Sequence, residues 1–445
     1  MINSDDREVA DSQYKRGLSY ITLQEGDRQA NLEAAIACFQ AALHIYSRDD
    51  FPVEWAAAQH NLGNAYRNLQ LGDRQANLEA AIACFQAALQ VRTLDAFPVD
   101  WAATQNNRGN AYVSLPDGDW QTNLERAIAC FQAALQVYTR TDFPADWART
   151  QNNLGIAYAS LLGTDRQANL ARAITYFQSA LRVRTREAFP VDWAATQNNL
   201  GNAYSSLPGK ERRDRLAYLE QAVTCFEAAL QIYTRDAFPL DWARAQHNLG
   251  NAYYNIPGEN EQVNLKKAIA HYQAALQVYT FSASPLDWAR TQHNLGNAYS
   301  IVLGEQGRQE HLQQAMACFE SALQVYTRET FPGDWAATQH NLGNVYSNLP
   351  GGDEQANQRR AIEHYEAALQ VYTYEEFPID WAMAQYNRGN AYASLRGENR
   401  KITLERATAC FQVSLHIFRI MRMESHGRVV IAAMKKAQEA LQNLI

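Results

Sequence analysis

One glycine returns through almost the whole chain, at Gly17, Gly63, Gly109, Gly155, Gly201, Gly250, Gly296, Gly343 and Gly389, at intervals of 46, 46, 46, 46, 49, 46, 47 and 46 residues. The string Asn-Leu-Gly-Asn-Ala-Tyr surrounds it intact at 61–66, 199–204, 248–253 and 294–299, and in altered form in the other units. A period of this size builds one supersecondary unit many times over, each copy burying its apolar face on its neighbours. Length alone would divide 445 residues into roughly three average domains. Repetition in phase argues instead for one continuous array of nine units over residues 1–420, followed by a short element at 421–445.

Each unit reads as two helices. In the second, Phe51-Pro52-Val53-Glu54-Trp55 opens helix A with a proline where a missing N–H costs nothing and an acid in the positively polarised first turn. Trp55, Gln59, Leu62, Tyr66 and Leu69 then follow at helical spacing, and Leu71-Gly72-Asp73 breaks the helix. Helix B carries Leu78, Ala81, Ile82, Phe85, Ala88 and Leu89. Of the twelve prolines, eight begin helix A (Pro52, Pro98, Pro144, Pro190, Pro239, Pro285, Pro332, Pro378) and four stand in the A–B turn (Pro116, Pro208, Pro257, Pro350), so none interrupts a helix.

Leu62-Gly63-x-x-Tyr66 on helix A and Ala81-x-x-x-Phe85-x-x-Ala88 on helix B resemble the tetratricopeptide repeat. The tyrosine follows the glycine in all nine units, so the resemblance covers about nine-tenths of the chain. It implies an all-α solenoid of about nine two-helix repeats of 46–49 residues in a right-handed superhelix, closed by a C-terminal capping helix. The unit is longer than the family's usual ~34 residues, so the connections or helix ends are extended. A glutamine also replaces the aromatic usually found before the leucine. The long unit and its Gln-x-Asn-Leu-Gly strings are similar to the kinesin light chain type. Similar arrays in large filamentous-cyanobacterial proteins accompany caspase-like or nucleotide-binding signalling domains, and no such domain lies in this chain.

Eight of the nine tryptophans, Trp55, Trp101, Trp147, Trp193, Trp242, Trp288, Trp335 and Trp381, fall on the apolar stripe and read as core, each worth roughly 3–5 kcal/mol on truncation. Gln59, Gln105, Gln151, Gln197, Gln246, Gln292, Gln339 and Gln385 share that face; a buried amide needs partners, and backbone groups of the lengthened connections are the expected ones. Terminal repeats need a polar outer face. Residues 5–23 are charged, and Val430, Met434, Ala437 and Leu441 form one stripe with Lys435, Lys436 and Glu439 away from it, as a capping helix would.

The opposite face of helix A carries two rows of asparagine. Asn61, Asn107, Asn153, Asn199, Asn248, Asn294, Asn341 and Asn387 form the first; Asn64, Asn110, Asn202, Asn251, Asn297, Asn344 and Asn390 form the second, broken by Ile156. An amide offers both a donor and an acceptor, and so can pair with an extended peptide backbone or bridge neighbouring helices. The resemblance implies that this face lines a concave peptide-binding groove. The family's carboxylate clamp adds lysines there, but the residue four before the second asparagine is His60, Asn106, Asn152, Asn198, His247, His293, His340 or Tyr386. Helix A, from each tryptophan onward, holds six arginines and no acid, whereas an acid precedes every tryptophan. Arg149, Arg244 and Arg290 stand three residues after Asp146, Asp241 and Asp287, a spacing that favours pairing. A mildly basic floor with an acidic rim suits an extended segment carrying some acidic residues.

The net charge of −7 and the lack of a basic stripe argue against nucleic acid or an anionic membrane as partner. Residues Met1–Glu8 lack signal-peptide character, and no stretch approaches the ~18 apolar residues of a membrane span. Cys38, Cys84, Cys130, Cys225, Cys318 and Cys410 occupy one repeat position; stacked helices lie ~8–10 Å apart, too far for disulfides, so free thiols in the cytoplasm are expected. There is no metal-ligand spacing and no nucleophile elbow, phosphate loop or dinucleotide fingerprint. Repetition multiplies one group rather than assembling different ones, so neither catalytic residues nor a cofactor is expected. The reading is a non-enzymatic protein–protein interaction scaffold holding an extended peptide or protein segment in its groove, homo-oligomerisation being left open. The alternative is a sensor or regulatory subunit for a separately encoded protease or nucleotide-binding signalling protein.

Overall fold

The computed structural model describes residues 4–23, 25–116, 118–163, 165–209, 211–258, 260–302, 307–397 and 399–444, with the side chains of Ser4 and Asp5 excepted. Met1–Asn3, part of the N-terminal stretch read above for a signal peptide, lie outside the described residues. The described residues form nineteen α-helices and no strand. They group into two compact bodies, Met1–Ile232 and Tyr233–Ile445.

The first body holds five hairpins: α1 (Ser4–Thr22) with α2 (Arg28–Leu43), α3 (Pro52–Asn68) with α4 (Arg74–Ala88), α5 (Pro98–Ser114) with α6 (Trp120–Ala134), α7 (Pro144–Ser160) with α8 (Arg166–Leu181), and α9 (Pro190–Ser206) with α10 (Arg212–Leu230). The second holds α11 (Pro239–Asn255) with α12 (Glu261–Ala275), α13 (Pro285–Ile301) with α14 (Arg308–Ala322), α15 (Pro332–Asn348) with α16 (Glu354–Ala368), α17 (Pro378–Ser394) with α18 (Arg400–Ile420), and finally α19 (Glu424–Gln442). Within each body the hairpins stack in chain order as an α-solenoid.

Helix A begins at the repeat proline in eight hairpins, and helix B begins after a short turn. Asp27, Asp73, Asp119 and Asp353 cap four B helices by accepting backbone N–H groups of the first turn. The B–A connection is itself hydrogen-bonded. Thr93 Oγ1 accepts from the Ala96 N–H, the Thr93 carbonyl accepts from the Phe97 N–H, and the pattern recurs at Thr185, Thr234 and Thr373.

The core of each hairpin closes on glycine. Phe85, Phe131 and Phe177 are fully buried. A Cβ built on Gly109 would lie 2.6 Å from Cε1 of the Phe131 ring, and one on Gly155 would lie 2.5 Å from that of Phe177. Only hydrogen lets helix A approach the aromatic of helix B this closely, which is why the glycine repeats.

The eight tryptophans at the repeat position are half-buried rather than enclosed. Trp101 and Trp147 flank a small cluster of Ala102, Ala134 and Tyr138, and Trp335 and Trp381 flank Ala336, Ala368, Tyr372 and Ala384. They sit at the open N-terminal end of helix A, where neighbouring hairpins shield one face of the ring. At the C-terminus Val430 and Ala437 are buried and Met434 and Leu441 half-buried, while Lys435, Lys436 and Glu439 are exposed; α19 packs on α18 and touches α17.

Candidate functional site

Within each body successive A helices touch, as α3 does α5 and α5 does α7, whereas successive B helices do not meet among the described residues. Closer spacing on one side means curvature toward it, so the A-helix face is the inner side of each stack. This face carries both asparagine rows.

All eight first-row asparagines are half-buried. Their amides reach back one hairpin. Asn107 Nδ2 donates to Asn64 Oδ1 at 2.9 Å, Asn294 to Asn251 at 2.9 Å, Asn341 to Asn297 at 2.8 Å and Asn387 to Asn344 at 2.9 Å. Where the preceding hairpin offers an asparagine one turn earlier, that is the acceptor instead: Asn153 donates to Asn106 and Asn199 to Asn152. Asn61 donates to the Tyr14 hydroxyl of the first hairpin. Asn248 is also engaged. Seven of the eight first-row asparagines thus bridge neighbouring hairpins.

The second row presents the other half of each amide. Asn64, Asn110, Asn251, Asn297, Asn344 and Asn390 are half-buried and Asn202 is exposed. The Oδ1 atoms of Asn64, Asn251, Asn297 and Asn344 accept from the next hairpin. Their Nδ2 groups have no partner among the described residues, which leaves a spaced series of N–H donors on the inner face.

Beside the rows runs a second link that the sequence did not reveal. Thr104, Thr291 and Thr338 each donate a hydroxyl to the carbonyl four residues earlier, at 2.7 Å. Their oxygens are then free to accept, so His60, His247 and His293 must donate from Nδ1 across 2.8–2.9 Å. Nε2 is left as an acceptor, and Asn387 Nδ2 stands 2.9 Å from Nε2 of His340. Neutral imidazoles suit this use, and burial drives these groups well below the ordinary histidine value, to about 3 for His60 and about 4 for His247, His293 and His340.

Among the described residues the glutamine row makes no bond to the connections. Gln246 and Gln339 accept from His271 and His364 of their own B helices at 2.6 and 2.7 Å, and Gln385 accepts from Arg388. For Gln246 and Gln339 the partner is a side chain because helix B, not the loop, passes beneath this position. Gln105 keeps a buried Oε1 with no partner.

Arg149, Arg244 and Arg290 are exposed and paired within their own helices to Asp146 (2.5 Å), Asp241 and Asp287 (3.3 Å). Arg92 and Arg184 replace the tyrosine that other hairpins place at Tyr46, Tyr138 and Tyr279. Arg184 is buried, with Thr196 Oγ1 at 3.0 Å and Asp192 at 3.2 Å. All six cysteines are free. Among the described residues no cluster of His, Cys, Asp or Glu could hold a metal, and no helix is long and apolar enough to cross a membrane.

Five stretches match the model of the Sel1 repeat, residues 10–43, 56–90, 148–182, 243–277 and 336–370, and each spans one A–B pair. No curated protein sequence matches the chain. Among solved structures, the C-terminal part of a TPR repeat-containing protein from Cytophaga hutchinsonii is similar at 12% identity, over 71% of this chain and 95% of that one, with a TM-score of 0.41. A Rap protein complexed with Competence and Sporulation Factor is similar at 13% identity, over 88% and 99%, with a TM-score of 0.45. The chain is built of repeated helix pairs, five of them matching the Sel1 repeat.

Proposed function

We propose that this protein is a non-enzymatic scaffold that holds an extended peptide or protein segment along the inner, A-helix face. The reading rests on Asn64, Asn251, Asn297 and Asn344 of the second row, whose Nδ2 groups have no partner among the described residues while their Oδ1 atoms are held from behind by the next hairpin. Donors fixed in direction at these four repeats suit the carbonyls of an extended backbone and take little account of its side chains. Asn61, Asn107, Asn153, Asn199, Asn248, Asn294, Asn341 and Asn387 then serve by setting the spacing, and Arg149, Arg244 and Arg290 favour a partner with some acidic residues. Within the tetratricopeptide-like repeats we place the chain with the long-unit kinesin light chain type, on unit length and its Gln-x-Asn-Leu-Gly strings. We place it in the cytoplasm on its six free thiols. The capping role of residues 421–445 belongs to the same proposal and rests on the half-polar surface of α19.

The test uses Asn64→Asp, Asn297→Asp and Asn344→Asp, which keep the Oδ1 acceptor and remove the free N–H. Partners recovered by affinity purification with the unaltered protein, and lost with these variants at unchanged melting temperature, are the expected result. Undiminished recovery would put the binding surface elsewhere.

A further inference from the structure

In an array this regular, residues with structural duties repeat, and a residue occurring once is doing something its counterparts do not. Two such departures meet in one cavity. Arg67 stands where the later hairpins carry Val113, Ala159, Ser205, Tyr254, Ser300, Ser347 and Ala393. Ile156 is the break in the second asparagine row. Both line a cavity of about 290 Å³ on the inner face of the first body, with Asn110, Asn153, Val113 and the Phe131 ring. It spans three successive A helices, α3, α5 and α7.

The cavity is electrostatically incomplete. Arg67 is half-buried, and its guanidinium has no hydrogen-bond or ion-pair partner among the described residues. No acid lines the cavity among the described residues. The neighbouring cation Arg74 is committed elsewhere, donating from Nη1 to the carbonyls of Arg67 and Leu69 at the end of α3. Burial, followed by the charges of Arg149 and Arg74, holds the Arg67 guanidinium below its usual value. A desolvated cation without a counter-charge is unfavourable unless something supplies one.

We infer that this cavity is an anion-binding site, taking a carboxylate or phosphate group on the segment held along the inner face. Arg67 offers the planar fork that fits either group bidentately. Asn110 and Asn153 line the same cavity, and Val113, Ile156 and Phe131 supply the apolar part of its lining, which strengthens the pairing. Ile156 in place of asparagine removes a polar competitor from that lining. The inference rests on the groove reading for what carries the anion, but not for the existence of the site.

The experiment titrates the full chain with glutarate and, separately, with inorganic phosphate at constant ionic strength, followed by calorimetry. The proteins are the unaltered chain, Arg67→Val and, as a control, Arg140→Ala. Valine is what the next hairpin holds at this place, so Arg67→Val should fold and melt no lower than the unaltered protein. Saturable binding weakened by about tenfold or more in Arg67→Val but not in Arg140→Ala, the loss expected for hydrogen bonds to a charged group, is the predicted result. The arm with the tighter binding identifies the anion. Asn110→Asp, which adds a negative charge to the cavity, should weaken binding similarly. Equal binding by Arg67→Val, or no saturable binding by the unaltered chain, would overturn the site. A displayed library of random dodecapeptides separates the two readings. Peptides captured without any acidic preference that depends on Arg67 would leave the groove and remove the anion site. Anion binding through Arg67 with no peptide captured would do the reverse.

Discussion

Asn387 Nδ2 lies 2.9 Å from Nε2 of His340 and 2.9 Å from Oδ1 of Asn344, both on the preceding A helix. One side chain therefore joins two hairpins at two points, in a place half-shielded from water. Removing it leaves His340 Nε2 without its donor and Asn344 Oδ1 with only the Tyr365 hydroxyl. Asn387→Ala should lower unfolding stability by about 1–3 kcal/mol, read by urea denaturation. Asn387→Asp should cost more at neutral pH, because a carboxylate would face two acceptors. A substitution with no effect would mean that these bonds do not hold the stack.

Acid should weaken the array through its histidines. His60, His247, His293 and His340 are depressed to about 3–4 in the folded chain, against ~6.5 unfolded. Above pH ~6.5 they are neutral in both states and cost nothing. As pH falls from there toward ~4 only the unfolded chain takes up the protons, so stability declines, by at most about 1.4 kcal/mol per pH unit for each histidine. Asparagine occupies the same place in Asn106, Asn152 and Asn198. His293→Asn should therefore fold and show a shallower loss of melting temperature between pH 7 and 4.5. An unchanged slope would count against buried, neutral imidazoles.

Two glycines should answer oppositely to alanine. At Gly109 the added Cβ meets the Phe131 ring at 2.6 Å, inside a packed core, and Gly109→Ala should cost about 1–3 kcal/mol. At Gly333, in the first turn of α15, a Cβ meets nothing within 4 Å. Gly333→Ala should be neutral or stabilise by up to about 1 kcal/mol. Thermal unfolding of the pair checks both signs together.

Arg184 closes a bridge that tyrosine fills elsewhere. Its partner Asp192 has a side chain still 55% exposed, so breaking the pair strands no buried anion. Arg184→Ala should cost about 1.5–3 kcal/mol, from lost charged hydrogen bonds and packing. Arg184→Tyr should recover most of it, because Tyr138 and Tyr279 already occupy the equivalent space. If Arg184→Tyr were as unstable as Arg184→Ala, the two side chains would not be interchangeable at this site.

The glycine period, the proline positions and the Leu-Gly-x-x-Tyr strings were enough to read nine helix pairs, because helix boundaries and the Gly–Phe contact are local or one hairpin deep. Each tryptophan was placed on the correct stripe, but its depth was not legible. Periodicity reports which way a side chain points, whereas burial depends on how far the neighbouring hairpin extends over it. The glutamines show the same boundary: their direction followed from spacing, and their partners in His271 and His364 did not.

The amino-acid order alone determined a repeating α-helical hairpin and the alignment of like residues in rows, since both follow from i to i+4 geometry and a strict period. Only tertiary packing decided what each row does. The offset between stacked helices brings the Asn107 amide to Asn64 and the His60 ring to Thr104, and curvature toward the A helices gathers Arg67, Asn110, Asn153 and Ile156 around one cavity. Distances between residues more than forty positions apart are set by how surfaces fit, and no periodicity within a single repeat encodes that fit.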